Sequence, residues 1–390
     1  MQSGARWRWS WGRVAIGFVL LISSVHLGCG GAQGTSNSGQ SGSGQSSSGQ
    51  SNAVQRLYVG NQQQNTVSAY LINKDGSLTQ ESGSPFALGG NSLIADPNGQ
   101  VLFSTGLISN AIQLNTDSIS QDGSLKVSST VTDDTLDDVR ATNPAGTYLY
   151  VSSVSAAQEN WGWKVYSISS DGSLQFVDGL IDQDAGRLVF TPDGSAAFAA
   201  YCYQLLPNIE RFIVGSDGML TNTGNQINLP VNYGECPNAV TLTPAGNMLA
   251  APWSDASGLG GGENFITLFN VDPTTHELTS TSGSTSPASG AGFDAVFDPS
   301  GKFLITAQDN GIGVYQAGQN SVTEIHGSPF GGVEMDRVMF TPSGSFLVGL
   351  SDASQQIFVF AFDQSTGALN PAPGTPVSTP SPTDLAIIRR

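Results

Sequence analysis

The stretch FTPSGSFLVGL, residues 340–350, decides how this chain is built. Phe340, Thr341, Pro342, Ser343 and Gly344 read as a turn, and FLVGL (346–350) reads as the buried strand that leaves it. Proline pre-sets one turn position, and glycine accepts the positive φ that closes it. The same device recurs as ADPNG (95–99), TNPAG (142–146), FTPDG (190–194), LTPAG (242–246) and FDPSG (297–301). The prolines Pro97, Pro144, Pro192, Pro244, Pro299 and Pro342 are spaced by 47, 48, 52, 55 and 43 residues. A steady period of about 49 residues marks a repeat architecture.

A second landmark runs out of phase with the first. DGSL stands at 75–78, 122–125 and 171–174, and DGML at 217–220; THEL (275–278), NSV (320–322) and TGAL (366–369) take equivalent places. Asp-Gly between apolar runs is a hairpin signal. Short β-rich runs lie between the landmarks, among them YLYVSS (148–153), KVYSIS (164–169), ITLFNV (266–271) and IFVFAF (357–362). One repeat therefore reads as strands A, B, C and D, with Pro-x-Gly joining A to B and Asp-Gly joining C to D. Four strands in about 48 residues form one blade of a β-propeller. The second landmark appears seven times and the first six. The missing copy is accounted for by RLYVGN (56–61), a strand B without its A, and TDLAIIRR (383–390), an A without its B. The sequence thus predicts an all-β, seven-bladed propeller over residues 54–390, closed by pairing of its N- and C-terminal strands, with no open sheet edge inside the ring.

Residues 1–28 read as an export signal: Arg6, Arg8 and Arg13 precede the apolar run VAIGFVLLISSVHLG (14–28). Gly28-Cys29 resembles the end of a lipobox, so Cys29 is expected to be lipidated and to anchor the chain to a membrane. Residues 30–53 are nearly all Gly, Ser, Gln and Asn and form a flexible tether. The expected product is an exported lipoprotein facing the periplasm or the cell surface. Charged residues are few (12%), and the formal net charge is −17. Such a surface repels nucleic acid and anionic headgroups, so neither is expected as a partner, and the lipid is the one membrane attachment. The protein is expected to be a monomer.

The A–B and C–D turns share one face of the ring, and the B–C loops share the other with the D–A connections. Five residues before each landmark proline stand Ser92, Val139, Arg187, Ala239, Asp294 and Arg337, each bordering the channel at its mouth on the loop face. Asp138 lies one place before Val139, and Asp384 occupies the matching region of the last strand. Arg187, Arg337, Asp294, Asp384 and Asp138 are therefore the candidate catalytic residues of a polar pocket. A carboxylate would act as base there, and an arginine would stabilise oxyanion charge. The alternative is that these charges pair with one another and cap the channel. The longest loops carry aromatic rings, and Trp161, Trp163, Tyr201, Tyr203, Tyr233 and Trp253 are read either as a ligand rim or as anchors that pack the loops down. Cys202 and Cys236 fall on one face of neighbouring blades and are expected to form a disulfide, worth roughly 3–4 kcal/mol. No metal-ligand or cofactor motif is present, so none of either is expected.

The Pro-x-Gly-x-x-Leu repeats, the DGSL turns and GSPF at 83–86 and 327–330 resemble the seven-bladed lactonase family, which includes bacterial 6-phosphogluconolactonases and cycloisomerases of propeller fold. The resemblance covers nearly all of residues 54–390. It implies hydrolysis of a lactone at the channel mouth, with Arg, His and Glu side chains in attendance. The family's Gly-Pro-Arg-His pattern has no intact copy; AGRLVFTP (185–192) and MDRVMFTP (335–342) come nearest. Two readings follow: an exported lactone hydrolase, or a non-catalytic propeller that holds a small molecule, glycan, peptide or partner protein on its loop face.

Overall fold

The computed structural model describes residues 54–390 apart from 109–110, 156–159, 182–186, 204–205, 230–236, 238, 256–262 and 281. Residues 1–53, which include the expected signal, Cys29 and the expected tether, lie outside the described residues together with Tyr233 and Cys236. The described chain holds thirty strands and no helix. Blade one takes β1 (Gln55–Asn61), β2 (Thr66–Ile72) and β3 (Leu78–Gln80); blade two, β4 (Ser92–Ala95), β5 (Val101–Ile108), β6 (Ala111–Ile119) and β7 (Leu125–Thr132). Blade three is β8 (Leu136–Thr142), β9 (Tyr148–Ser155), β10 (Asn160–Ile168) and β11 (Leu174–Ile181). Blade four is β12 (Leu188–Phe190), β13 (Ala196–Tyr203), β14 (Leu206–Val214) and β15 (Leu220–Asn228). Blade five is β16 (Thr241–Leu242), β17 (Met248–Asp255), β18 (Glu263–Val271), β19 (Leu278–Thr279) and β20 (Thr285–Ala288). Blade six is β21 (Gly292–Phe297), β22 (Phe303–Gln308), β23 (Gly311–Ala317) and β24 (Val322–Glu324). Blade seven is β25 (Arg337–Phe340), β26 (Phe346–Ser351), β27 (Gln356–Phe362), β28 (Leu369–Pro371) and β29 (Val377–Ser378).

The last strand, β30 (Pro382–Arg389), returns to blade one as its inner strand and pairs antiparallel with β1, Gln55 opposite Arg389 and Val59 opposite Leu385. The expected closure is present, and the seven sheets form the seven-bladed propeller predicted from the repeat. Seven apolar clusters fill the seven gaps between neighbouring blades. In one, Phe103 and Leu114 of blade two meet Val139 and Leu149 of blade three. In another, Phe303 and Ile305 of blade six meet Leu347 and Phe358 of blade seven. Burial of this kind, at about 25 cal/mol per Å² of apolar surface, is what holds blades that share no sheet.

The turn chemistry is uniform. The residue ahead of each landmark proline is Asp, Asn or Thr, and its side chain accepts the backbone N–H of the first residue of strand B. Asp96 Oδ1 accepts from Val101 at 2.7 Å, Asn143 Oδ1 from Tyr148 at 2.9 Å, Asp298 Oδ1 from Phe303 at 2.7 Å and Thr341 Oγ1 from Phe346 at 3.2 Å. Each turn also packs on the one before it: Gly146 faces Pro97, Gly194 faces Pro144, and Gly344 faces Pro299. The Asp-Gly turns reach back in the same sense. Tyr58 and Tyr150 donate their hydroxyls to the carbonyls of Gly123 and Gly218 in the following blade, at 3.1 and 2.7 Å.

One expectation needs refinement. Strand D is full length only in blades two, three and four. In blades one, six and seven it stops after three residues, and the chain runs on through Pro85, Pro329 or Pro376. The ladder lapses across a turn ahead of each proline, and there the hydroxyl of Ser84, Ser328 or Thr375 accepts a backbone N–H of strand C. Pairing resumes as single bridges, Val67 with Phe86 and Ile312 with Phe330, or as the short β29.

Candidate functional site

Near the start of three inner strands a short acceptor side chain latches one blade to the next. Asp384 Oδ2 on β30 accepts the N–H of Leu93 on β4 at 3.1 Å. Ser92 Oγ on β4 accepts the N–H of Val139 on β8 at 2.8 Å. Asp294 Oδ2 on β21 accepts the N–H of Val338 on β25 at 3.2 Å. In each case a short acceptor at the start of one inner strand satisfies a donor that the neighbouring inner strand would otherwise bury unpaired.

The other oxygens of the two aspartates, which also accept the N–H groups of Ala295 and Leu385, meet the arginines. Arg187 Nη1 lies 2.6 Å from Asp294 Oδ1, its Nη2 lies 3.9 Å from Asp384 Oδ1, and Arg337 Nε donates to the same Asp384 oxygen at 3.2 Å. Arg187 leaves blade four, whereas its partners stand on blades six and one. Neither is a neighbour of blade four, so the guanidinium reaches across the channel opening. The structure thus brings Arg187, Arg337, Asp294 and Asp384 together as the sequence led us to expect, in the paired arrangement. The arginine side chains keep 28% and 24% of their surface in contact with solvent, against 6% and 12% for the aspartates. The cations are the accessible half of the cluster.

Asp138 belongs to an adjoining group. Asn91 Nδ2 donates to its Oδ1 at 2.5 Å, and Arg140 Nη2 lies 3.4 Å from both Asp138 Oδ2 and Asp137 Oδ2. Arg140 Nε also donates to Ser152 Oγ at 3.1 Å. Sequence reading missed Arg140, although it stands two places after Asp138, the spacing that puts two side chains on one face of a strand. Burial raises the Asp137 carboxyl above its ordinary range, and the charge of Asp138 adds to the effect while Arg140 opposes it. Asp336, next to Arg337, is raised by burial, and Asp352 by burial and then by Asp336. Burial and the nearby Arg337 lower the Arg187 guanidinium against the pull of Asp294 and Asp384. For Arg337 burial acts downward, but Asp384, Asp294, Asp138 and Asp336 together raise it. Three arginines and several carboxylates therefore share one field. Such an opening can orient an anionic or carbonyl oxygen, and it offers a carboxylate that binds a proton more readily than usual.

Trp163 and Trp253 correct the aromatic-rim reading. Trp163 is 1% exposed and meets Phe212 edge-on at 5.3 Å. Trp253 is 4% exposed, stacks on Phe265 at 4.7 Å and donates Nε1 to Thr267 Oγ1 at 2.9 Å. Both rings fill gaps between blades, Trp163 between blades three and four and Trp253 between blades four and five. Trp161, Tyr201, Tyr203 and Cys202 lie on β10 and β13, but their side chains fall outside what is described, as do Tyr233 and Cys236, so the proposed disulfide lies there too. His276 sits in the turn between β18 and β19, with Nε2 3.8 Å from Asp193 Oδ2 in an A–B turn. That is the face away from the mouth. No cluster of metal-ligating side chains occurs among the described residues.

No family model matches the sequence, and no curated protein matches it. Solved structures do match in fold. A candidate 6-phosphogluconolactonase from Bacteroides uniformis superposes with a TM-score of 0.68 at 17% identity, covering 87% of this chain and 100% of that one. The periplasmic gluconolactonase of Pseudomonas aeruginosa superposes with a TM-score of 0.69 at 20% identity, covering 86% and 99%. A protein from Lactobacillus plantarum gives 0.65 at 15% identity over 86% and 99%. At these identities the likeness is one of fold.

Proposed function

We propose that this chain is an exported propeller that hydrolyses a small lactone at its channel mouth. The observation that supports the reading is the meeting of Arg187 and Arg337 over one opening, with their heads partly open to solvent and their backs held by Asp294 and Asp384. Two of the fold neighbours carry lactonase descriptions. In the proposed reaction a guanidinium donates to the lactone carbonyl oxygen, and the Asp137–Asp138 pair takes a proton from the attacking water. The water oxygen bonds to the acyl carbon, the ring C–O bond breaks, and the proton returns to the leaving alkoxide. Donors already aimed at the developing oxyanion supply the rate, since they need no reorganisation. Export through the leader and retention through lipidated Cys29 complete the reading. Release of a Cys29→Ser variant from the membrane fraction is the expected outcome, and its retention there would remove the anchor from the scheme.

A second reading has its own support. Asp294 and Asp384 each spend one oxygen on a backbone N–H and the other on an arginine. That is an architectural use of a carboxylate, and it suits a mouth that holds a small anion without turning it over. Purified protein is to be assayed on a panel of unphosphorylated and phosphorylated lactones beside an Arg187→Ala/Arg337→Ala double variant. Turnover reduced at least about a hundredfold in the variant is expected from loss of oxyanion donors. Absence of turnover on every lactone, with carboxylate binding that depends on the two arginines, would leave the binding reading in its place.

A further inference from the structure

Arg211 is a charge without a counter-charge among the described residues. It stands on β14 in blade four, is 9% exposed, and has no carboxylate within ion-pair distance among the described residues. By contrast Arg56, Arg140, Arg187 and Arg337 each have one. Arg390 also lacks one, but it spends Nε on the Gly99 carbonyl and Nη1 on that of Ile119, both at 2.7 Å. Arg211 gives Nη1 to the Thr275 carbonyl of blade five, and its buried Nε has no acceptor. A buried guanidinium left short of acceptors is costly, and more so when no anion accompanies it.

The contact with Thr275 does not by itself call for an arginine. Seven residues before the Asp-Gly glycine, blade two has Thr116 where blade four has Arg211. Thr116 makes the same strut with a hydroxyl, donated to the Gly172 carbonyl of the next blade at 3.1 Å. The arginine brings surplus donors and a positive charge to a place where a threonine suffices. A cavity of about 350 Å³ adjoins it, lined by Arg211, Gly224, Gln226, Ile227, Glu277 and Leu278. A Cβ placed on Gly224 would meet nothing within 4 Å, so this side of the cavity is open. Glu277 is exposed and stands apart from Arg211, with no ion pair between them.

We propose that the gap between blades four and five binds a small α-amino carboxylate. Its carboxylate would meet the part of the Arg211 guanidinium that lines the cavity, its ammonium would face Glu277, and an apolar side chain would rest on Ile227 and Leu278. A guanidinium matches a planar carboxylate through two parallel N–H bonds. Glu277 would repel a plain anion, and it becomes an asset when the ligand carries both charges.

Isothermal titration of the full chain with L-leucine, 4-methylpentanoate and 3-methylbutylamine tests this, because the last two each lack one charged group of the first. Saturable leucine binding is expected, with each single-charge probe at least about tenfold weaker. Arg211→Lys should weaken leucine and 4-methylpentanoate alike. Should that variant fail to fold for want of the Thr275 strut, Glu277→Gln on an exposed side chain carries the test. It should weaken leucine about tenfold and leave 4-methylpentanoate no weaker. The Arg187→Ala/Arg337→Ala variant should bind leucine as the parent does, which separates this site from the channel mouth. Three results would each overturn the proposal: no saturable leucine binding, an equal effect of Glu277→Gln on both carboxylates, or loss of leucine binding in the channel-mouth variant.

Discussion

Thr341 and Gly344 hold the same turn by different means. Thr341 accepts from Phe346 and fixes where strand B begins. Gly344 has φ of +67° and approaches the preceding blade, where a Cβ would come 2.8 Å from Pro299 Cγ. Two costs therefore fall on an alanine at 344: the left-handed backbone and a clash with a ring that cannot swing away. Gly224 separates them, since its φ is +69° and a Cβ there would touch nothing. Gly224→Ala should lose about 1 kcal/mol, the backbone penalty alone. Gly344→Ala should lose about 3 kcal/mol in urea melts, because overpacking adds to that penalty. Equal losses would mean that the ring of proline–glycine contacts contributes nothing between blades.

At the scale of the strand, β30 has three duties. It supplies the inner strand of blade one, it buries Leu385 and Ile388 in the flanking gaps, and it carries Asp384 to both arginines. Removing residues 383–390 should leave β1 with a bare edge and abolish cooperative thermal unfolding near the parent's midpoint. A truncated chain with an undiminished urea m-value would show that the ring does not need its latch. This closure was legible from the sequence because two half-blades, each lacking what the other has, stood at the two ends. The channel positions of Arg187, Asp294, Arg337 and Asp384 were legible for a similar reason, since a fixed offset from a proline fixes a height on the inner strand. Their partners were not legible. Arg187 meets Asp294 and Asp384 on blades that are not its neighbours, and no local spacing encodes that. The short outer strands were marked by Pro85, Pro329 and Pro376, whose missing N–H could have been read as a break. Trp163 shares a face with the buried Val165, so strand alternation already pointed it inward.

For the molecule as a whole, two populations of aspartate set opposite limits on stability. Asp117 is fully buried, receives one hydrogen bond from Ser104 Oγ at 2.7 Å and leaves Oδ1 without a partner. Burial pushes its carboxyl up to about 6, and Asp137, Asp336 and Asp352 move in the same direction. An acid raised in the folded state carries no penalty below its unfolded value. The penalty builds as pH climbs to the folded value and stays constant above it. For Asp117 that is about 3 kcal/mol above pH 6, at 1.36 kcal/mol per pKa unit. The exposed turn residues Asp75, Asp122, Asp171 and Asp363 behave oppositely. Hydrogen bonds from the serines two places on hold them below the ordinary range, so their contribution is present at neutral pH and is lost as acid protonates them. Repulsion within a chain of net charge −17 also weakens as pH falls toward the isoelectric point of 4.2. These three effects place maximal stability near about pH 5 and not at neutrality. Melting temperatures measured from pH 3 to pH 8 should peak there, and Asp117→Asn, which keeps a hydrogen-bonding oxygen for Ser104 without a charge to bury, should flatten the decline between pH 5 and pH 8 while leaving the acid limb in place. A melting temperature that climbs steadily from pH 5 to pH 8 would mean that the buried carboxylates are ionised at little cost, and the low-dielectric gaps between the blades would have to be wetter than their packing implies.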